Sequence, residues 1–135
     1  SEYSGVISRF TGDLLSGRQP VIYGDGEQSR DFTYISDVVA GNMLAAETTR
    51  GVGQVMNLAR GERITLNELL KTLKTITGQT EVQADYREPR AGDVRHSLAD
   101  ITRARELLGF EPGVGLEEGL RKTIDWWKQS RFAKG

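Results

Sequence analysis

Apolar residues recur at helical spacing from the start of the chain. Tyr3, Ile7, Phe10 and Leu14 predict a helix over residues 3 to 16, with Ser4 placed to cap it and Gly17 to stop it. Pro20-Val21-Ile22-Tyr23 then reads as a short strand cut by Gly24-Asp25-Gly26, and Asp31-Phe32-Thr33-Tyr34-Ile35 reads as a second. A polar loop ending in Arg30 separates the two. Ser36 is placed to cap a helix reaching about Thr48. Its apolar positions Val38, Val39, Met43, Leu44, Ala45 and Ala46 cover more than one face, which predicts a helix buried between layers. Val55-Met56-Asn57-Leu58-Ala59 has apolar residues on both sides, the pattern of a strand covered on both faces.

The second half is more sharply punctuated. Thr65-Leu66-Asn67-Glu68 is a capping box opening a helix with Leu66, Leu69, Leu70, Leu73 and Ile76 on one stripe and Gly78 at its end. Glu81 to Tyr86 alternates as a strand, and residues 87 to 95 form a charged loop holding Arg87, Arg90 and Arg95. Asp100 is placed to cap a short helix carrying Ile101, Ala104, Leu107 and Leu108 and stopped by Gly109. A last helix, about 115 to 131, stacks Leu116, Leu120, Ile124 and Trp127. There is no repeat and no long linker. The order α-β-β-α-β-α-β-α-α predicts an α/β or mixed α+β fold in one domain spanning residues 1–135.

Composition narrows the functions. With 37% hydrophobic and 27% charged residues and a net charge of −1, the chain is globular and lacks the basic excess expected for nucleic-acid or anionic-membrane partners. It has no Cys, which removes thiol catalysis and disulfides, and one histidine, His96, which argues against metal chemistry. No apolar run approaches the roughly 20 residues that cross a bilayer, and the opening lacks the order of a signal peptide, so a soluble cytoplasmic protein is expected. The chain starts without Met, in what reads as the first turn of a helix, which predicts a piece of a longer chain.

Catalytic patterns are tested by subtraction. There is no G-x-S-x-G elbow to partner His96, and Glu117 and Glu118 are adjacent on a helix, pointing apart as a solvated face. The G-x-G that follows a strand-like run, Gly24-Asp25-Gly26, has Ser29 in the place of a third glycine and no helix after it, so a dinucleotide fingerprint is not supported. What remains is anion recognition. Arginines number 13 against 5 lysines, and the two least periodic segments, 24 to 31 and 87 to 97, both carry them. Guanidinium forks suit phosphate because they present two parallel donors and stay charged when partly desolvated. The alternative is that these arginines pair on the surface with Asp25, Glu27, Asp31, Glu88 and Asp93.

Val21-Ile22-Tyr23-Gly24-Asp25-Gly26-Glu27-Gln28-Ser29-Arg30-Asp31-Phe32-Thr33-Tyr34-Ile35-Ser36-Asp37-Val38, then Asn57-Leu58-Ala59, Thr65-Leu66-Asn67-Glu68-Leu69, Arg90-Ala91-Gly92-Asp93-Val94-Arg95-His96-Ser97 and Leu107-Leu108-Gly109-Phe110-Glu111-Pro112 follow in order. Together these blocks resemble the C-terminal half of NAD-dependent nucleotide-sugar epimerases and dehydratases of the extended short-chain dehydrogenase/reductase family. Within it they are most similar to UDP-glucose and UDP-N-acetylglucosamine 4-epimerases. A departure is Ser8, where such proteins often carry Pro.

The resemblance implies the substrate-binding portion of a Rossmann-type enzyme that oxidises the sugar C4 hydroxyl with NAD, lets the ketone rotate and reduces it on the other face. A 4,6-dehydratase, a reductase or a stand-alone nucleotide-sugar-binding or interaction module are the alternatives. By the same resemblance, Arg30 and Arg90 would grip the diphosphate, Asp93 would accept from the ribose hydroxyls, and the backbone around Val21 and Tyr23 would frame the uracil. Ser97 would border the sugar pocket with room for an N-acetyl group, or simply start a helix. The NAD fingerprint and the Tyr-x-x-x-Lys pair belong to the other half of that family. Here the residues four after Tyr3, Tyr23, Tyr34 and Tyr86 are Ile7, Glu27, Val38 and Arg90. This chain is therefore expected to bind a UDP-sugar but no cofactor, to be inactive alone, and to associate with itself or with a dinucleotide-binding half.

Overall fold

The computed structural model describes residues 4–47, 53, 56, 58–93, 95–96 and 100–133. Its elements are α1 (Ser4–Leu15), β1 (Val21–Tyr23), β2 (Ser29–Arg30), α2 (Ile35–Glu47), β3 (Ile64–Thr65), α3 (Leu66–Thr77), β4 (Asp85–Arg87), α4 (Thr102–Leu108) and α5 (Leu116–Ala133). The mixed α/β class expected from the pattern is what forms.

Helices supply the core. Val6, Phe10 and Leu14 fall four residues apart on α1 and meet Leu69, Leu70 and Leu73 of α3, Leu120 and Ile124 of α5, and Ile22 of β1. The α3 boundaries follow the predicted chemistry. Thr65 Oγ1 accepts from the Glu68 N–H at 3.1 Å, and Gly78, at φ 74°, closes the last turn onto the Lys74 and Thr75 carbonyls. Glu117 and Glu118 lie on the solvated side of α5 and pair with Arg121 and Lys122 one turn on.

The strands are shorter than predicted, and two lie elsewhere. β1 pairs in parallel with β4, Tyr23 opposite Arg87, while β2 pairs antiparallel with β3. The second strand is Ser29–Arg30 rather than Asp31–Ile35: Asp31 leaves the ladder to accept the Gly61 N–H at 2.8 Å, and Phe32 turns into the core. β3 lies at Ile64–Thr65, a segment too short to show a period. The strand predicted at Glu81–Tyr86 starts later and runs one residue further, at Asp85–Arg87. Of the strand predicted over Val55 to Ala59, Met56, Leu58 and Ala59 are irregular, and Val55 and Asn57 lie outside the described residues, as does Tyr3. Those three residues instead pack with Leu44, Ile101, Ala104 and Phe110 in a second cluster.

Helix starts also differ from expectation. α2 begins at Ile35, so Ser36 lies inside the first turn, and the buried Asp37 carboxylate accepts from Gly113 and Val114 N–H at 2.8 and 3.1 Å. Asp100 accepts from the Thr102 N–H, while the cap position itself is Ile101. The prediction that α2 is buried between layers does not hold. Ile35, Val39 and Met43 are 65%, 49% and 58% exposed, because among the described residues only one side of the helix finds a partner.

Candidate functional site

The site forms where the β1 end, β2 and the loop after β4 converge, and its shape starts with the Gly-Asp-Gly turn. Gly24 and Gly26 have φ of 100° and 78°, conformations open to glycine. A Cβ on Gly26 would also run into the Asn67 side-chain amide. Asn67 braces this turn: its Nδ2 donates to the Asp25 carbonyl at 3.0 Å and to Glu27 Oε1 at 2.7 Å, and its Oδ1 accepts from the Tyr86 hydroxyl. Gly26→Ala is therefore expected to cost about 2 kcal/mol, from left-handed strain plus a displaced Asn67, read as a lowered urea midpoint. An unchanged midpoint would show that the turn relaxes freely.

The charged loop is tied onto this turn at several points. Asp25 takes a two-pronged contact from Arg95 at 2.8 and 3.1 Å, and this guanidinium holds its carboxyl well below the usual range, at about 2. Ser29 N–H donates to the Arg95 carbonyl at 2.8 Å, and Ser29 Oγ shares a 2.7 Å hydrogen bond with His96 Nδ1. His96 thus has a structural partner. Deeper in, Arg30 donates to Asp93 at 2.6 Å and to the Ser29 carbonyl at 2.7 Å, with only 8% of its side chain exposed. Gln28 completes the clasp by donating to the Tyr23 carbonyl at 2.8 Å and to the other Asp93 oxygen at 3.3 Å.

Five of the six residues singled out from the sequence border one cavity of about 160 Å³: Val21, Tyr23, Arg30, Arg90 and Asp93. The sixth, Ser97, lies outside the described residues. Arg90 lies over the Tyr23 ring with its guanidinium carbon 4.0 Å from the centroid, and its presence lowers the Tyr23 hydroxyl pKa. A second, open hollow of about 790 Å³ lies alongside and shares Tyr23, Gln28, Arg90 and Asp93 with the first. The Arg90–Tyr23 stack is their common wall, and together they reach the size of small-molecule sites.

The pairing alternative for the arginines is realised in part. Arg30, Arg87 and Arg95 pair with Asp93, Asp85 and Asp25, whereas Arg90 rests on an aromatic face. Sequence reasoning did not single out Arg9, which enters the cavity from α1, or Gln28, which joins Tyr23 to Asp93. Arg9 was legible only as the polar neighbour of Phe10 on a helix, and Gln28 only as one polar loop residue among several.

Gly24-Asp25-Gly26 leads into β2 rather than into a helix, so it offers no helix N-terminus to a dinucleotide phosphate, and these residues do not fit NAD. Among the described residues no group of His, Cys, Asp and Glu is arranged for a metal, and no helix is long and apolar enough to cross a membrane.

Residues 3–123 match the family model for GDP-mannose 4,6 dehydratase. The chain belongs to that family. Within the GDP-mannose 4,6 dehydratase family it is 37% identical over 125 residues to the UDP-glucose 4-epimerase of Mycolicibacterium smegmatis, covering 93% of this chain and 39% of the relative. The structure of UDP-glucose 4-epimerase from Thermotoga maritima with UDP-glucose superposes with a TM-score of 0.86 at 44% identity, over 93% of this chain and 40% of that one. UDP-N-acetylglucosamine 4-epimerase from Methanobrevibacter ruminantium, in complex with UDP-N-acetylmuramic acid, gives 0.84 at 38% identity, over 93% and 39%. The chain thus spans about 40% of the length of these relatives and corresponds to their C-terminal portion, as its resemblance to NAD-dependent epimerases and dehydratases implied.

Proposed function

We propose that residues 1–135 are a single nucleotide-sugar-binding domain, the substrate-binding part of an NAD-dependent UDP-hexose 4-epimerase. The observation that carries this reading is the convergence of Arg30, Arg90, Asp93, Val21 and Tyr23 on one cavity from three separate stretches of chain. In this assignment the two guanidinium groups hold the diphosphate, Asp93 accepts from the ribose hydroxyls, the backbone of Val21 and Tyr23 flanks the uracil, and Ser97 borders the sugar. Arg30 and Gln28 each donate to one Asp93 oxygen, which fixes the carboxylate's orientation for that task. The redox chemistry, and NAD with it, belongs to a dinucleotide-binding half in a cytoplasmic enzyme. A 4,6-dehydratase is the second reading, favoured by the name of the matching family.

Calorimetric titration of this chain with UDP, UDP-glucose and UDP-N-acetylglucosamine tests the assignment. Weak, salt-sensitive binding of all three is expected, since the chain supplies only part of the pocket. Arg90→Ala should weaken UDP binding at least tenfold while the thermal melt stays in place, because Arg90 is exposed and makes no ion pair among the described residues. Equal UDP binding by Arg90→Ala would refute the diphosphate role.

A further inference from the structure

Three guanidinium groups, rather than two, border the enclosed cavity: Arg30 of β2, Arg90 of the loop after β4, and Arg9 of α1. Asp93 is the one carboxylate among its described lining residues, and it is already engaged by Arg30. The lining therefore has two positive charges in excess. Arg9 sits on the exposed flank of α1, next to the buried Phe10 that anchors the helix in the core, so the backbone beneath it is held while its side chain is free to reach. Among the described residues no carboxylate pairs with Arg9. By contrast Arg18, three residues past the end of α1, donates to Asp13 at 3.1 Å. The charge of Arg9 also acts on Tyr23 across the cavity, adding to the larger effect of Arg90.

We infer that Arg9 is a third anion-binding arm of this site, and that with Arg30, Arg90 and Asp93 it sets the cavity charge to match a nucleoside diphosphate sugar. The inference rests on the nucleotide-sugar reading and extends it. A diphosphate esterified at both ends has one ionised oxygen on each phosphorus, so it carries two negative charges, the number that the lining leaves uncompensated. Without Arg9 the excess falls to one. A neutral nucleoside would leave both positive charges facing each other in a partly enclosed space, where water screens them less than at an open surface. Arginine suits the role because its guanidinium stays charged beside other cations.

The test is calorimetric titration of this chain with UDP-glucose and with uridine, at low and at physiological ionic strength, using Arg9→Gln, Arg9→Lys and Arg18→Gln. Arg9→Gln should weaken UDP-glucose about tenfold at low salt, flatten its salt dependence, and leave uridine binding and the thermal melt unchanged. Arg9→Lys should restore part of the affinity, and Arg18→Gln, which removes the same charge away from the cavity, should match wild type. UDP-glucose binding by Arg9→Gln equal to wild type overturns the inference, as does an equal loss in Arg18→Gln, which would reduce the effect to net charge. A wild-type chain that does not bind UDP-glucose at all overturns the nucleotide-sugar reading itself.

Discussion

Arg30→Ala should both unsettle the fold and remove UDP binding, whereas Arg90→Ala should do only the second. The difference lies in burial. Arg30 donates at 2.6 Å to Asp93 with 8% and 28% of the two side chains exposed, so truncating it leaves a half-buried carboxylate without its counter-charge and takes a donor from the Ser29 carbonyl. Breaking a buried pair from one side costs about 3–5 kcal/mol, and water at Asp93 places this case near the lower figure. A loss of about 3 kcal/mol in a domain of this size lowers the melting temperature by roughly 10 °C. Because the pair clasps the loop of residues 87–96 to β2, its loss also displaces Asp93 and the approach of Arg90. Arg30→Lys should recover charge but only part of the stability, since one ammonium nitrogen cannot occupy both positions from which the two guanidinium nitrogens now donate. A melt of Arg30→Ala indistinguishable from wild type would show that the clasp is carried by Gln28, Ser29 and Arg95 alone.

The second large effect concerns association. Ile35, Val39 and Met43 succeed one another at four-residue spacing on α2, and all three face solvent. Burying such side chains yields about 1.5–3 kcal/mol each, so a row of three is a strong incentive to find cover. For this chain in solution, a second copy offers a matching surface. Sedimentation over a rising concentration series should therefore show the weight-average mass climbing toward that of two chains. The double variant Val39→Glu/Met43→Glu should hold it at one chain, and amide exchange across residues 35–47 should slow in step with association in wild type only. A wild-type monomer at every concentration, with α2 amides well protected, would mean that the stripe needs no partner. The same pair of variants leaves the cavity lining untouched, so UDP binding serves as the control for folding.

Local order was legible in the sequence wherever neighbouring residues settle the matter. The α3 stripe, its Thr65 cap and the Gly78 stop depend on contacts three to four residues apart, and the solvated ion pairs of α5 obey the same spacing. Repeating apolar positions on α1 and α5 likewise marked the faces that meet in the core. The strings around Arg30 and Arg90 marked residues that border one cavity, because a family resemblance carries information on distant pairings that periodicity lacks.

Tertiary structure decided what depends on residues far apart in the chain. Strand positions moved because two- and three-residue ladders are set by their partners: Thr65 lies opposite Ser29, and Tyr23 opposite Arg87. Asp31 left its predicted strand for the Gly61 amide thirty residues away. Whether an arginine is paired on the surface rested on whether a carboxylate arrives beside it. Asp93 reaches Arg30 and Asp25 reaches Arg95, while Arg90 meets the Tyr23 ring and Arg9 is left facing the cavity. The apolar breadth of α2 was plain from composition, but only packing showed which side goes uncovered, since burial is a property of what surrounds a helix and not of the helix alone.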